Sequence, residues 1–168
     1  NVWNEHTGEG VISFDGEVLQ IPDRAFGNGI TNAWLKSITI PSSVKVLGDG
    51  AFGGMSITQG VFENIVFAKG SQLEKVGSKA FQLNPSLKNI YLPNTVKEIG
   101  KGICFGCGAL EGVYLNNDYY HSGLSRVLYR YEGNTMHIVV FPAVFSDNNQ
   151  PSNTLAGATN IEYGAISM

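Results

Sequence analysis

The stretch Leu87–Leu110, LKNIYLPNTVKEIGKGICFGCGAL, is one complete copy of a unit that recurs along nearly the whole chain. Side chains alternate between the two faces of a strand, so the pattern L-x-x-I-x-L places Ile90 and Leu92 on the same face. Pro93 ends this strand, because proline has no N–H to donate to a neighbouring strand. The apolar segment V-x-x-I follows, and the glycine after it suits a tight corner. The unit therefore predicts a short strand, a corner and a return segment.

One spacing is kept in five copies of this unit. An apolar residue stands five positions before an aromatic or apolar residue that is predicted to fill the interior. These pairs are Ile21/Phe26, Leu47/Phe52, Val76/Phe81, Ile99/Cys104 and Ile161/Ile166. The copies lie roughly 23 to 29 residues apart until the last one, a period that is typical of solenoids. Because one such strand cannot bury its apolar face alone, the copies are expected to stack and to pair their strands into a parallel sheet.

These units resemble the BspA-like leucine-rich repeats of bacterial surface proteins, such as those of gut Bacteroidetes. The family consensus is close to L-x-x-I-x-I-P-x-x-V-x-x-I-G-x-x-A-F-x-G-C-x-x-L, and Ile38–Phe52 (ITIPSSVKVLGDGAF) and Ile90–Leu110 match it almost position for position. The resemblance implies a right-handed leucine-rich-repeat solenoid, an α/β superhelix rich in β-structure. It further implies a parallel sheet on one face and mostly irregular or short helical returns.

The whole chain, residues 1–168, is predicted to form a single repeat domain. Its coils are expected at about 9–34, 35–62, 63–86, 87–109 and 110–166. Ile12 and Phe14 are predicted to form the first strand, and Trp3 is expected to cover the open end of the stack. A hairpin is predicted near residues 127–141 of the last coil. Ile161–Ile166 restores the repeat, and two interpretations stay open: these residues cap the stack, or the natural protein carries more repeats.

The composition argues against nucleic-acid binding and against a membrane-spanning segment. The 168 residues carry a net charge of only −3, without a long cluster of Lys and Arg. Nucleic-acid binding normally needs a basic stripe that replaces counterions, so no nucleic-acid partner is expected. No apolar run reaches the roughly 18 residues that indicate a transmembrane helix, so no membrane span is expected.

The pair Cys104 and Cys107 forms a C-x-x-C motif, which raises the question of metal or redox chemistry. Zinc would need two further ligands, and neither a second C-x-x-C nor an H-x-x-x-H motif is present. A redox function would need a thioredoxin-like βαβ setting, which the repeat pattern does not provide. We interpret both cysteines as small buried apolar residues at interior positions of the repeat, with a local disulfide as the alternative. No metal and no cofactor are predicted.

The predicted sheet leaves one row of side chains on its outer face. The row contains one residue from each coil, namely Thr39, Val66, Tyr91 and Tyr114, and it is flanked by Ser37, Asn64, Asn89 and Gly112. Two tyrosines beside an amide are typical of a surface that binds a protein or the face of a sugar. The alternative is that the aromatic residues only stabilise the sheet through cross-strand packing.

A second candidate patch is the aromatic group Tyr119, Tyr120 and His121 in the insertion after the fourth coil. Its alternative is partial burial against the predicted hairpin. Catalysis has little support, since the three histidines lie in different contexts and no carboxylate pair or Ser-His-Asp order is present. The chain is therefore predicted not to be an enzyme.

The resemblance implies an exported protein, extracellular or at the cell surface, and adhesion to host or bacterial proteins as its leading use. The function predicted here is a non-catalytic binding module that recognises protein partners through its repeat surface. Binding of a glycan, or a scaffold role inside a larger surface protein, is the alternative.

Overall fold

Short strands joined by tight turns make up the molecule. The computed structural model describes residues 2–4, 9–11, 15–27, 35–55, 61–123, 126–144 and 158–166. In chain order the strands are β1 (Val2–Asn4), β2 (Glu9–Val11), β3 (Gln20–Ile21), β4 (Ser37–Ile40), β5 (Val46–Leu47), β6 (Asn64–Phe67), β7 (Lys75–Val76), β8 (Asn89–Tyr91), β9 (Glu98–Ile99), β10 (Gly112–Tyr114), β11 (His121–Ser122), β12 (Leu128–Glu132), β13 (Thr135–Val140) and β14 (Ala158–Ile161).

The first layer of the solenoid is a parallel sheet with the spatial order β4-β6-β8-β10. Neighbouring coils pair without any shift, so that Ser37 faces Asn64, Asn64 faces Asn89, and Asn89 faces Gly112. The alternate residues point inward, and Ile65, Ile90 and Val113 are buried. This is the parallel sheet that the pattern L-x-x-I-x-I predicted, and the prediction of a leucine-rich-repeat solenoid is confirmed.

The second layer is a parallel sheet of two-residue strands, in the order β3-β5-β7-β9. It aligns the apolar residues that precede each corner, which are Ile21, Leu47, Val76 and Ile99. At each corner a glycine N–H donates to the carbonyl of the aligned residue one coil earlier. The three bonds, Gly48 to Ile21, Gly77 to Leu47 and Gly100 to Val76, all measure 2.8 Å.

The predicted α/β character and short helical returns are not found in the part of the chain that the structure describes, and these parts of the prediction were wrong. Among the residues that the structure describes, every return consists of turns and the short second sheet, with no helix. The reason is that the N–H groups of the return bond to the neighbouring coil instead of four residues back. Phe52, for example, donates to the carbonyl of Ala80, and Phe81 donates to that of Ile103, both at 2.8 Å.

The core lies between the two sheets and contains a stack of phenylalanine rings. Phe52 packs against Phe26 and Phe81, with ring centroids 5.1 and 6.2 Å apart and nearly parallel planes. Alanine precedes the ring in each of these coils, and Ala51 and Ala80 are fully buried beside the rings. Each coil thus buries its apolar residues only by stacking on its neighbours.

A third sheet, β11-β12-β13-β14, lies at the C-terminal end of the described structure. Leu128 and Val140 of its hairpin belong to the main core. Ile138, on the other hand, forms a second, smaller apolar cluster with Val127 and Ala165. The hairpin therefore contributes side chains to the main core of the solenoid and to a second apolar cluster, which it shares with Ala165 of the last coil.

The N-terminal predictions can be compared with the structure only in part. Ile12 and Phe14 lie outside the described residues. Trp3 lies in β1, which pairs with β2 in an antiparallel arrangement that sets Trp3 opposite Gly10. The side chain of Trp3 is outside the described part, and the division into five coils stays a prediction.

Candidate binding surface

The predicted row occupies the outer face of the first sheet, one residue from each coil. Thr39 faces Val66 across β4 and β6, and Tyr91 faces Tyr114 across β8 and β10. Thr39, Val66 and Tyr91 are exposed, whereas Tyr114 is half-buried. The row faces solvent because the residues on either side of each member point into the core. The structure therefore brings the four row residues together.

The two tyrosines form a parallel ring stack. Their ring centroids are 4.7 Å apart and their planes differ by 11°. Tyr91 is 64% exposed, and burial raises the pKa of Tyr114 above its usual value, although the charge of Arg126 opposes that change. A Cβ atom placed on Gly112 would lie 2.9 Å from Cζ of Tyr114 and 3.0 Å from Cβ of Arg126. The absence of a side chain at Gly112 thus makes room for the ring of Tyr114.

The flank of the row is polar. Ser37 and Asn64 are exposed, and Asn89 is half-buried with its Nδ2 donating to Oε2 of Glu111 over 3.3 Å. The same carboxylate oxygen lies 3.6 Å from Nη1 of Arg126. The aromatic end of the row is therefore bordered by an amide and an ion pair, all of which can form hydrogen bonds with a bound molecule.

A shallow, open depression of about 450 Å³ lies beside Tyr91. Its lining residues are Phe67, Ala68, Gly70, Ser71, Tyr91, Pro93, Asn94 and Thr95. Tyr91 stands between Val66 and Tyr114 in the row, and the ring of Tyr114 covers one of its faces. Tyr91 therefore belongs both to the row and to the lining of the depression.

The second predicted patch, Tyr119, Tyr120 and His121, is divided by the structure. Tyr119 is 52% exposed and His121 is half-buried, but Tyr120 belongs to the core. The backbone N–H groups of Tyr119 and Tyr120 both donate to Oδ1 of Asn117 at 2.9 Å, and this turn directs Tyr120 inward. Its hydroxyl accepts the N–H of Ile99 over 3.0 Å. Tyr120 is therefore not available to a partner, contrary to its prediction as a binding residue.

One aromatic group was missed by the sequence analysis. The ring of His121 lies 5.6 Å from that of Tyr129 and 6.2 Å from that of Tyr131, and the two tyrosines meet edge to face at 5.8 Å. The alternation of Tyr129 and Tyr131 in β12 was the available signal, because it sets both rings on one face of the strand. Their contact with His121 depends on the pairing of β11 with β12.

The two cysteines are buried and carry free thiols. Burial raises the pKa of Cys104 well above its usual value. The Sγ–H of Cys107 donates to the carbonyl of Phe81 over 3.1 Å, one coil earlier. Asn84 holds the corresponding position in the coil before, where its Nδ2 donates to the carbonyls of Phe52 and Phe81 at 2.7 and 2.8 Å. Both side chains thus bind neighbouring turns together within the core.

Among the residues that the structure describes, no group of three His, Cys, Asp or Glu side chains is placed to hold a metal ion. Within the same residues, no helix has the length and apolar character that crossing a membrane requires.

Comparisons with known proteins agree with the geometry of the coils. A family model for the BspA type leucine rich repeat region matches residues 10–124 in six copies. The pneumococcal vaccine antigen PcpA superposes with a TM-score of 0.61 at 24% identity, over 73% of this chain and 28% of PcpA. A comparison with curated proteins finds no significant match.

Two further solved structures share the fold. A leucine-rich repeat protein from Eubacterium ventriosum has a TM-score of 0.57 at 20% identity, over 89% of this chain and 45% of its own. A leucine rich cell surface protein from Faecalibacterium prausnitzii has a TM-score of 0.52 at 22% identity, over 67% of this chain and 28% of its own. The chain thus spans less than half of the length of each of these three proteins.

Proposed function

The chain belongs to the family of BspA-type leucine-rich repeat proteins, and we propose that it is a non-catalytic binding module that recognises a protein partner through the row of Thr39, Val66, Tyr91 and Tyr114. The observation that carries this proposal is the ring stack between the exposed Tyr91 and the half-buried Tyr114. We propose adhesion to a host or bacterial surface protein as its use. The F. prausnitzii relative is described as a cell surface protein, and we propose an extracellular or cell-surface location for this chain as well.

The ring stack favours binding because it is already ordered. Tyrosine is enriched among the residues that contribute most to binding, since a large ring is immobilised at a low cost in side-chain entropy. Tyr114 stacks on Tyr91 and lies beside Gly112, and the two strands that carry the rings are paired in the sheet. A partner therefore meets a preformed apolar surface with polar groups at its border.

The shape of the row favours a protein over a small molecule. Four adjacent strands span about 14 Å at about 4.8 Å per strand, and the row is open along this length. Protein interfaces of standard size cover about 800 Å² per partner, with an apolar centre and a polar rim. Val66, Tyr91 and Tyr114 would supply such a centre, and Ser37, Asn64 and Asn89 would belong to its rim.

The proposal is tested by a pull-down from extracellular-matrix and bacterial-surface extracts. The wild-type chain is compared with the double variant Tyr91→Ala/Tyr114→Ala, and Tyr131→Ala serves as the control because Tyr131 is equally a solvent-exposed tyrosine but lies on β12. We expect a protein that is retained by the wild type and by Tyr131→Ala but at least tenfold less by the double variant. Equal retention by all three chains, or by none, would contradict the proposed surface.

Glycan binding is the second candidate, and the depression beside Tyr91 is the observation that favours it. The exposed Tyr91 lines the depression together with Ser71, Pro93 and Asn94, so its ring could stack on the C–H face of a sugar while the polar groups bind the hydroxyls. On a glycan array we would expect binding that is weakened at least tenfold by Tyr91→Ala and less by Tyr114→Ala, because only Tyr91 lines the depression. No binding on the array, together with a captured protein, would reject this candidate.

A further inference from the structure

A line of charged side chains borders the row, one from each coil. Each member stands three residues before a row residue, and the signs alternate along the stack. These residues define the charged border: Lys36, Glu63, Lys88 and Glu111. The N–H of Glu63 donates to the carbonyl of Lys36 over 2.9 Å. The N–H of Glu111 donates to the carbonyl of Lys88 over 2.7 Å, so the backbone keeps neighbouring members aligned.

Both carboxylates of the charged border already have partners. Oε2 of Glu63 lies 3.5 Å from Nζ of Lys36. Oε2 of Glu111 lies 3.6 Å from Nη1 of Arg126, and it also accepts a hydrogen bond from Nδ2 of Asn89 over 3.3 Å. Neither carboxylate is therefore left to compensate a further cation of the border.

Lys88 is the member of the border that has no such partner. Its side chain is exposed, and it forms no ion pair with a carboxylate in the part of the chain that the structure describes. Along the stack it stands between Glu63 and Glu111, which are engaged by other side chains. The uncompensated charge of the border is thus positive, and it lies in the coil of Tyr91.

Arg126 brings a second cation to the same end of the row. A Cβ atom on Gly112 would lie 3.0 Å from Cβ of Arg126 and 2.9 Å from Cζ of Tyr114, so the arginine and the tyrosine meet above this glycine. A guanidinium has five N–H donors, and the contact with Glu111 engages only Nη1. Two cations and one carboxylate therefore leave a net positive charge beside the ring stack.

We propose that the row recognises an acidic segment of a partner protein, in which an Asp or Glu carboxylate binds Lys88 and Arg126 while a neighbouring apolar side chain packs on Tyr91. This inference rests on the proposed function of the row and names the chemistry of its partner. Charge complementarity supports it, because the free charge at the aromatic end is positive. The planar fork of arginine donates to both oxygens of a carboxylate.

A single net positive charge suits one carboxylate better than a polyanion. A nucleic acid would need a basic stripe, whereas the whole chain carries a net charge of −3. The apolar row continues from the cations across Tyr91 to Val66, so a peptide segment can place its acidic side chain at one end and apolar side chains along the rest. This arrangement favours a protein segment as the occupant.

The test begins with a phage library of random linear peptides, which is selected on the immobilised wild-type chain. We expect the selected peptides to be rich in Asp and Glu beside an aromatic or aliphatic residue. The same library is selected on Lys88→Glu, where we expect Lys and Arg to take the place of the acidic residues, because like charges across an interface repel.

Fluorescence anisotropy then measures the affinity of one selected peptide for the variants. Lys88→Glu should weaken binding about tenfold, because it brings like charges together. Lys88→Met should weaken it about two- to fivefold, since one exposed ion pair is lost. Lys45→Glu is the matched control: it makes the same change of net charge at an exposed lysine in another part of the coil, and it should leave binding unchanged. Thermal midpoints of the variants check that each one folds.

The double variant Tyr91→Ala/Tyr114→Ala separates this inference from the proposed function. Peptides that need both tyrosines but carry no acidic residue, or that bind Lys88→Glu as well as the wild type, would overturn the acidic partner and leave the row as a binding surface. Peptides that bind the double variant equally well, or no selected peptide at all, would contradict the proposed function and this inference together.

Discussion

At the scale of single residues, the position three after the aligned apolar residue has a left-handed backbone in each coil. The residues there, with their φ angles, are Arg24 (55°), Gly50 (61°), Lys79 (58°), Gly102 (63°) and Gly164 (74°). This conformation turns the backbone just before the two interior positions of the repeat, which in one coil hold the buried Ala51 and Phe52. A side chain at such a position costs about 1–2 kcal/mol, whereas glycine adopts it freely.

Lys79→Gly should therefore raise the free energy of unfolding by about 0.5–1 kcal/mol, because the relief of the left-handed backbone exceeds the added entropy of the unfolded chain. Urea denaturation of the two chains measures the change. The matched control is Lys88→Gly, at another exposed lysine whose φ is not positive, and it should lower the stability by about 0.5–1 kcal/mol. The prediction fails if both glycine variants change stability in the same direction.

At the scale of elements, Tyr120 terminates the second sheet. The strand β9 is the last of the order β3-β5-β7-β9, and the hydroxyl of Tyr120 accepts the N–H of Ile99 at that edge. Burial raises the pKa of Tyr120, so the hydroxyl keeps its proton over the physiological range. A residue from the irregular insertion thus takes the place that a carbonyl of the next coil would occupy.

Tyr120→Phe should lower the free energy of unfolding by about 1–2 kcal/mol, because the ring is retained while the N–H of Ile99 loses its acceptor. The exchange of the Ile99 amide should become faster, and hydrogen-exchange NMR together with urea denaturation measures both effects. Tyr119→Phe is the control, because Tyr119 is exposed and its loss of a hydroxyl should leave stability unchanged. Equal effects of the two substitutions would contradict the role assigned to Tyr120.

The elements also show which predictions were possible from spacing alone. The paired strands and the outer row follow from alternation, which by itself places Thr39, Val66, Tyr91 and Tyr114 on one face. The prediction of helical returns was wrong because the backbone groups of the return segments bond to other coils. No local sequence pattern reveals a hydrogen bond between coils. Tyr120 was misplaced for a similar reason, since its direction depends on the Asn117 turn and on Ile99 in another coil.

At the scale of the whole molecule, the stack is held by contacts between neighbouring coils. The ring of Phe52 touches those of Phe26 and Phe81, which belong to the coils on either side of it. The stability of such an array is approximately the sum of its coils and of the interfaces between neighbours.

What the sequence by itself determined is the repeat: its two aligned apolar positions and the outer row of the first sheet. These are set by spacings within one unit, and the same spacings recur in every copy. Only the tertiary structure decided that Tyr91 and Tyr114 stack, that Tyr120 is buried, and that His121 meets Tyr129 and Tyr131. Each of these depends on which side chains from distant positions come into contact, and that depends on the packing of the insertion, which follows no repeat.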